Sequence, residues 1–192
     1  LLLYGQALDQ QGRSAEARAQ FQEVMARHPN SPLVPEARLA VSRTFKAERN
    51  WPDAIARLEE WARSHPTNAL LPQVEFERAW LHFQAGNDTN AVRLLTNFVA
   101  RFPAHTNAPL AQYWGADHYF NQGEFVKAEE CYQLVFQNTN WPAGDLKHQA
   151  RLAAGQTAVK RQGFKAAADY FLSLINDTAC PPLFVGEAYF QL

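Results

Sequence analysis

The chain has 192 residues, 47% hydrophobic and 19% charged, the composition of a folded globular segment and not of a disordered tail. Its 18 Lys and Arg stand against 19 Asp and Glu, a net charge of −1, which argues against the basic field of a nucleic-acid binder. Two cysteines exclude a disulfide scaffold and a cysteine-rich zinc fold, and no apolar run reaches the ~18–20 residues of a membrane span.

The chain opens at Leu1 without an initiator Met and closes inside an apolar pattern running from Gly186 to Leu192, as expected of a piece of a longer protein. The first segment, about 1–30, carries Gly5 and Leu8, a turn at Gly12, then Ala17, Phe21 and Val24 ahead of Pro29. The second, 31–67, repeats that order with Ser42, Phe45, Arg49, Ala54, Leu58, Trp61 and Pro66. The third, 68–104, has Ala79, His82, Gly86, Ala91, Leu95, Phe98 and Pro103. The fourth, 105–143, has Ala116, Tyr119, Gly123, Ala128, Tyr132 and Val135, with its proline displaced to Pro142. The fifth, 144–180, has Gly155, Ala158, Gln162 and Gly163, Ala167, Phe171 and Leu174, and 181–192 begin a sixth. The alanines Ala17, Ala54, Ala91 and Ala128 fall 37 residues apart, and Ala167 follows after 39.

Each column has a physical reason. The alanine and the large residues four and seven positions on share one face of a second helix. The small residue twelve before the alanine lets that helix approach a first helix closely. Glycine five before it suits the left-handed residue that ends a helix, so hairpin turns are expected near 11–13, 48–51, 85–88, 122–124 and 161–163. The connector prolines push the preceding residue out of the α region, and Ser31, Asn68, Thr106 and Asn107 are candidate N-caps for the next helix. No segment alternates with the period of a strand. The reading is all-α, one continuous array over 1–192.

These residues resemble the tetratricopeptide repeat (TPR) family, whose unit places a small residue, an aromatic, an alanine, a second aromatic and a proline in this order. The match runs through Gly5, Leu8, Ala17, Phe21 and Pro29, and again through Ala79, Ala91, Leu95 and Pro103. It departs at Arg78 and Gly115, where a leucine-like residue is usual, and at His82. The stretches 102–109 and 122–132 are most similar to bacterial envelope TPR proteins of the BamD and Tol–Pal-associated types. The resemblance implies a right-handed superhelical solenoid of helix–turn–helix hairpins with its concave face lined by first helices. It also implies a non-catalytic scaffold for a protein or peptide partner, with the periplasm or envelope the favoured setting and the cytoplasm the other. The alternative is an accessory or regulatory domain of a larger protein or enzyme.

Carried onto this chain, the implied groove columns cluster Phe76, Trp80 and Phe83 with Tyr113, Asp117 and Phe120, beside Trp114. Two readings stay open for them: packing between repeats, or a peptide site, since aromatics offer large contact area at low entropic cost. Trp80 is the centre of the second reading, because its equivalents Gln6, Arg43, Asp117 and Gln156 are polar. Arg43 and Lys46, one turn apart, form a secondary candidate for an anionic ligand. The six histidines show no metal-ligand spacing, Cys131 is expected to be a buried inert thiol, and no phosphate-binding or nucleophile motif is present. No catalytic residue, metal site, cofactor, nucleic-acid partner or membrane insertion is therefore expected of this segment.

Overall fold

The computed structural model describes residues 1–192. Eleven α-helices follow one another with no strand: α1 (Leu2–Gln10), α2 (Ser14–Arg27), α3 (Val34–Ala47), α4 (Trp51–Ser64), α5 (Leu71–Gln84), α6 (Asp88–Arg101), α7 (Ala108–Asn121), α8 (Phe125–Gln137), α9 (Asp145–Lys160), α10 (Phe164–Ile175) and α11 (Pro182–Gln191). The chain divides into two compact units, Leu1–Leu94 and Leu95–Leu192. In the first, α1 packs on α2, α2 on α3, α3 on α4 and α4 on α5; in the second, α7 packs on α8, α8 on α9, α9 on α10 and α10 on α11.

The hairpin turns arise where a residue enters the left-handed region: Gly12, Arg49, Gly86, Gly123 and Gln162, at φ of 57 to 77°. In each, the next amide reaches back to the helix, as in Arg13 N to Leu8 O at 2.9 Å and Gly163 N to Ala158 O at 2.8 Å, so carbonyls at the helix end are satisfied. In the last hairpin the strained position falls on Gln162 and not on the glycine beside it.

The alanine columns are buried in the packing between helices. Ala17, Ala54, Ala91 and Ala128 are 0% exposed and Ala167 is 3% exposed. The small residues on the first helices have an equally direct cause. A Cβ at Gly5 would lie 2.5 Å from the ring of Phe21, and one at Gly155 would lie 2.4 Å from the ring of Phe171. Glycine is needed where the second helix presents phenylalanine.

The connectors work differently from the expectation of side-chain caps. The Ser31 hydroxyl accepts from Leu33 N and the Asn68 carbonyl oxygen accepts from Leu70 N. These are local turns ahead of the helices, which start at Val34 and Leu71 with Pro35 and Pro72 in the first turn. Asn107 does precede α7, but its side chain makes no capping bond. Proline in the first turn lacks an N–H that would go unpaired. A side-chain cap does form at Asn50 on α4, accepting from Asp53 N at 3.4 Å. Buried tryptophans tie down the first turn of α3 and the connector before α7: Trp61 Nε1 donates to Pro35 O at 2.7 Å and Trp141 Nε1 to Pro103 O at 2.8 Å.

Candidate functional site

The six groove residues divide between the units. Phe76, Trp80 and Phe83 stand on α5 in the first, at i, i+4 and i+7, which share a helix face. All three are half-buried, each engaging the chain while keeping surface open, and Trp80 is not covered completely. On the same helix Glu77 faces α3. Its carboxylate accepts from Lys46 Nζ at 3.0 Å and lies 4.0 Å from Arg43 Nε. The two cations of the secondary site thus already share one carboxylate, which an incoming anion would have to displace. The register alone gave no sign of this, because Glu77 lies between the columns taken as groove-lining.

In the second unit Tyr113, Asp117 and Phe120 stand on α7, all half-buried. Asp117 is turned to α8: its carboxylate accepts from the Tyr132 hydroxyl at 2.5 Å. Burial pushes the Asp117 carboxyl above the usual carboxylate range, with the bond from Tyr132 pulling the other way. Burial also holds the Tyr132 phenol un-ionised above its ordinary range, reinforced by Asp117. The ring of Tyr113 lies 5.3 Å from that of Tyr132, and burial, followed by the Asp117 charge, pushes its phenol up to about 12. Phe120 meets Phe125 edge to face at 5.6 Å. Asp117 is therefore half of an internal Asp–Tyr pair, a partner that the sequence columns missed because Tyr132 stands in the core column of a second helix.

No group of three or more His, Cys, Asp or Glu is arranged to hold a metal ion. No helix is long and apolar enough to cross a membrane. Both cysteines are free thiols; Cys131 is half-buried, against the expectation of full burial, while Cys180 in the connector before α11 is the buried one. Burial raises the pKa of both thiols, which disfavours the reactive thiolate.

Comparison with known proteins bears on this architecture. A tetratricopeptide repeat protein from Parabacteroides merdae superposes over 99% of this chain and 71% of its own, with a TM-score of 0.68 at 16% identity. An array of nearly identical TPR-like repeats of kinesin-light-chain type from Podosopora anserina covers 99% of this chain and 92% of its own, with a TM-score of 0.65 at 15% identity. MamA of AMB-1 covers 90% and 94%, with a TM-score of 0.59 at 15% identity. At these identities the likeness is one of fold. No curated protein sequence matches the chain. The family model described as tetratricopeptide repeat matches residues 2–69 and 76–145, and repeats of this kind generally mediate protein–protein interaction, typically without catalysis. With the periodic alanines buried where its hairpins close and most of its length matched by that model, the chain belongs to the tetratricopeptide repeat family.

Proposed function

We infer that this chain is a non-catalytic scaffold that holds a peptide or protein partner on its first-helix face, acting as one array over residues 1–192. Trp80 is the anchor in the first unit, with Phe76 and Phe83 beside it, and Tyr113, Asp117 and Phe120 offer a peptide-binding surface of their own in the second. The observation that carries this is the row of half-buried aromatics on α5, centred on a column that is polar in every other repeat. A large aromatic that keeps part of its surface open at such a position suits a binding hot spot. Asp117 contributes its half-buried carboxylate, held in place by the bond it accepts from the Tyr132 hydroxyl. Arg43 and Lys46 act as a secondary anionic site only when a ligand carboxylate replaces Glu77. The setting proposed is a bacterial envelope assembly of the BamD or Tol–Pal-associated type, on the strength of stretches 102–109 and 122–132; the alternative is an accessory domain of a larger protein.

The test uses a photo-crosslinking residue in place of Phe76 in the host cell, followed by measured affinity for the captured protein. Trp80→Ala is expected to weaken that affinity by at least ~2 kcal/mol, while Val126→Ala, on an exposed part of α8, leaves it unchanged. Equal affinity for the Trp80 variant, with helicity intact, removes the site. Fractionation of the tagged full-length protein tests the setting separately: recovery from the cytosol removes the envelope assignment and leaves the scaffold.

A further inference from the structure

On the side of the second helices in the first unit, α2, α3 and α4 border an open cavity of about 330 Å³. Its walls are Met25 of α2, Val41 and Phe45 of α3, and Trp61 of α4, with Arg38 and Arg57 at the polar edge. Arg38, Val41 and Phe45 lie on a different face of α3 from Leu39, Arg43 and Lys46, as helical spacing requires. The cavity is thus separate from the first-helix site.

Its electrostatics are unbalanced. Glu60 accepts from Arg57 at 3.2 Å and lies 3.6 Å from Arg38, so one carboxylate serves two guanidiniums. The Nε of Arg38 is buried and has no hydrogen-bond partner, an arrangement that costs desolvation without return. The cavity offers apolar walls and an unmet positive edge.

The chain itself shows what such an edge takes. In the second unit the equivalent inter-repeat surface is built by α8, α9 and α10. Arg151 stands where Arg38 does, Phe136 replaces Met25 and Tyr170 replaces Arg57. There the Arg151 guanidinium carbon lies 5.3 Å from the centre of the Phe136 ring, and Tyr170 meets that ring at 6.1 Å. Arg151 also reaches Asp177 at 3.3 Å. The second unit gives its arginine an aromatic face and a carboxylate shared with the ring nitrogen of His148; the first gives Arg38 no ring and a carboxylate shared with a second guanidinium.

We propose that this cavity is a second peptide-docking site, which takes an aromatic side chain of a protein partner under Arg38, with an acidic residue next to it on the partner meeting Arg38 and Arg57. The seated ring supplies what Phe136 supplies in the second unit, and the acidic residue supplies what Asp177 supplies. A cavity near the bottom of the range of about 300–1,000 Å³ seen for ligand sites suits one anchoring residue and not a longer buried segment. The guanidinium above a ring adds cation–π attraction to the apolar contact.

Met25 is the single methionine of the chain, so a methyl-labelled methionine reports from the cavity wall alone. The whole 192-residue chain is titrated with the capped peptide Asp-Phe-Asp, and in parallel with Asp-Ala-Asp. A saturable shift of the Met25 methyl with the first, and at least tenfold weaker binding of the second, is the expected result. Arg38→Ala is expected to weaken the phenylalanine peptide at least tenfold. Arg57→Tyr, which copies Tyr170 at a half-exposed rim position and keeps the reporter, is expected to do the same and guards against a folding defect in the Arg38 variant. An unshifted methyl overturns the proposal. Equal response to both peptides overturns the aromatic occupant, and undiminished binding by the folded Arg57→Tyr variant overturns the location.

Discussion

The interface between repeats 1 and 2 and that between repeats 4 and 5 use the same backbone positions and opposite side-chain solutions. In the first, Arg18 of α2 donates to Thr44 at 3.2 Å and to Glu48 at 2.8 Å, and stacks over Phe45 at 4.5 Å. In the second, the position of Arg18 is Glu129 and the position of Glu48 is Arg161. The bridge re-forms with its charges exchanged, Arg161 donating to Glu129 and the Tyr170 hydroxyl donating to Glu129 at 2.9 Å. Apolar volume is exchanged as well. Val41 and Phe45 in the first interface become Ala154 and Ala158 in the second, while Met25 and Arg57 become Phe136 and Tyr170. Bulk moves from the floor of the interface to its rim. The repeat dictates where helices meet; the residues at the meeting decide whether the surface is filled or left open.

The largest expected effect tests the columns that the two interfaces share. Phe171→Ala is expected to cost about 3–5 kcal/mol, the range for a buried phenylalanine, measured by chemical denaturation. Gly155→Ala overpacks the same contact and costs about 1–3 kcal/mol. Combining Gly155→Ala with Phe171→Leu moves the pair toward Ser42 and Leu58 of repeat 2 and is expected to cost less than the sum of the singles. Strict additivity would mean that the two residues do not constrain each other.

Next comes the reversed bridge. Glu129→Ala is expected to cost about 1–3 kcal/mol, because it strips a buried acceptor from Tyr170 and Arg161. Glu129→Arg alone places two cations together. Adding Arg161→Glu copies the Arg18–Glu48 order and is expected to restore most of the loss. A double-mutant cycle with no coupling would show that the exchanged charges are incidental.

Filling the first interface as the second is filled gives a smaller change of opposite sign. Met25→Phe is expected to raise stability by about 0.5–2 kcal/mol, as cavity-filling substitutions do. A loss of stability would mean that the ring does not enter the cavity.

The smallest effect is a pH dependence confined to the second unit. Burial raises the folded-state pKa of Asp117, so its carboxyl resists ionisation in the fold more than in the unfolded chain. Its contribution is most favourable below the ordinary Asp value near 3.8 and is lost as pH rises from there through the raised folded value. Asp117→Asn keeps an acceptor for Tyr132 and is expected to flatten that decline. An unchanged pH profile would place the cause elsewhere. At the alkaline end, phenolate absorbance should show one tyrosine titrating near about 12 that Tyr113→Phe removes.

Much of the fold was legible because it is periodic. The alanines, the paired large residues and the turn positions recur at 37 residues, with a last step of 39, and one backbone geometry satisfies all of them. Ser31 and Asn68 misled because a hydroxyl or amide ahead of a helix serves a local turn as readily as a cap; the two differ by a few residues of register that only the folded connector decides. The groove columns placed Trp80 and Asp117 on first helices. They said nothing of Glu77 beneath Arg43 and Lys46, or of Tyr132 beneath Asp117, because each partner lies on a different helix.

What the sequence by itself determined is the hairpin. Short-range spacing of small, large and turn-forming residues sets which face each helix buries, and that follows from helical geometry alone. What only the tertiary structure decided is how neighbouring hairpins settle their shared surface. The exchange of Arg18–Glu48 for Glu129–Arg161 joins side chains 30 and 32 residues apart, the ring under Arg151 lies 15 residues away, and the Nε of Arg38 stays unpaired beside a carboxylate 22 residues on. Their meeting is set by packing distances and by the balance of volume and charge across the interface, which no single repeat contains.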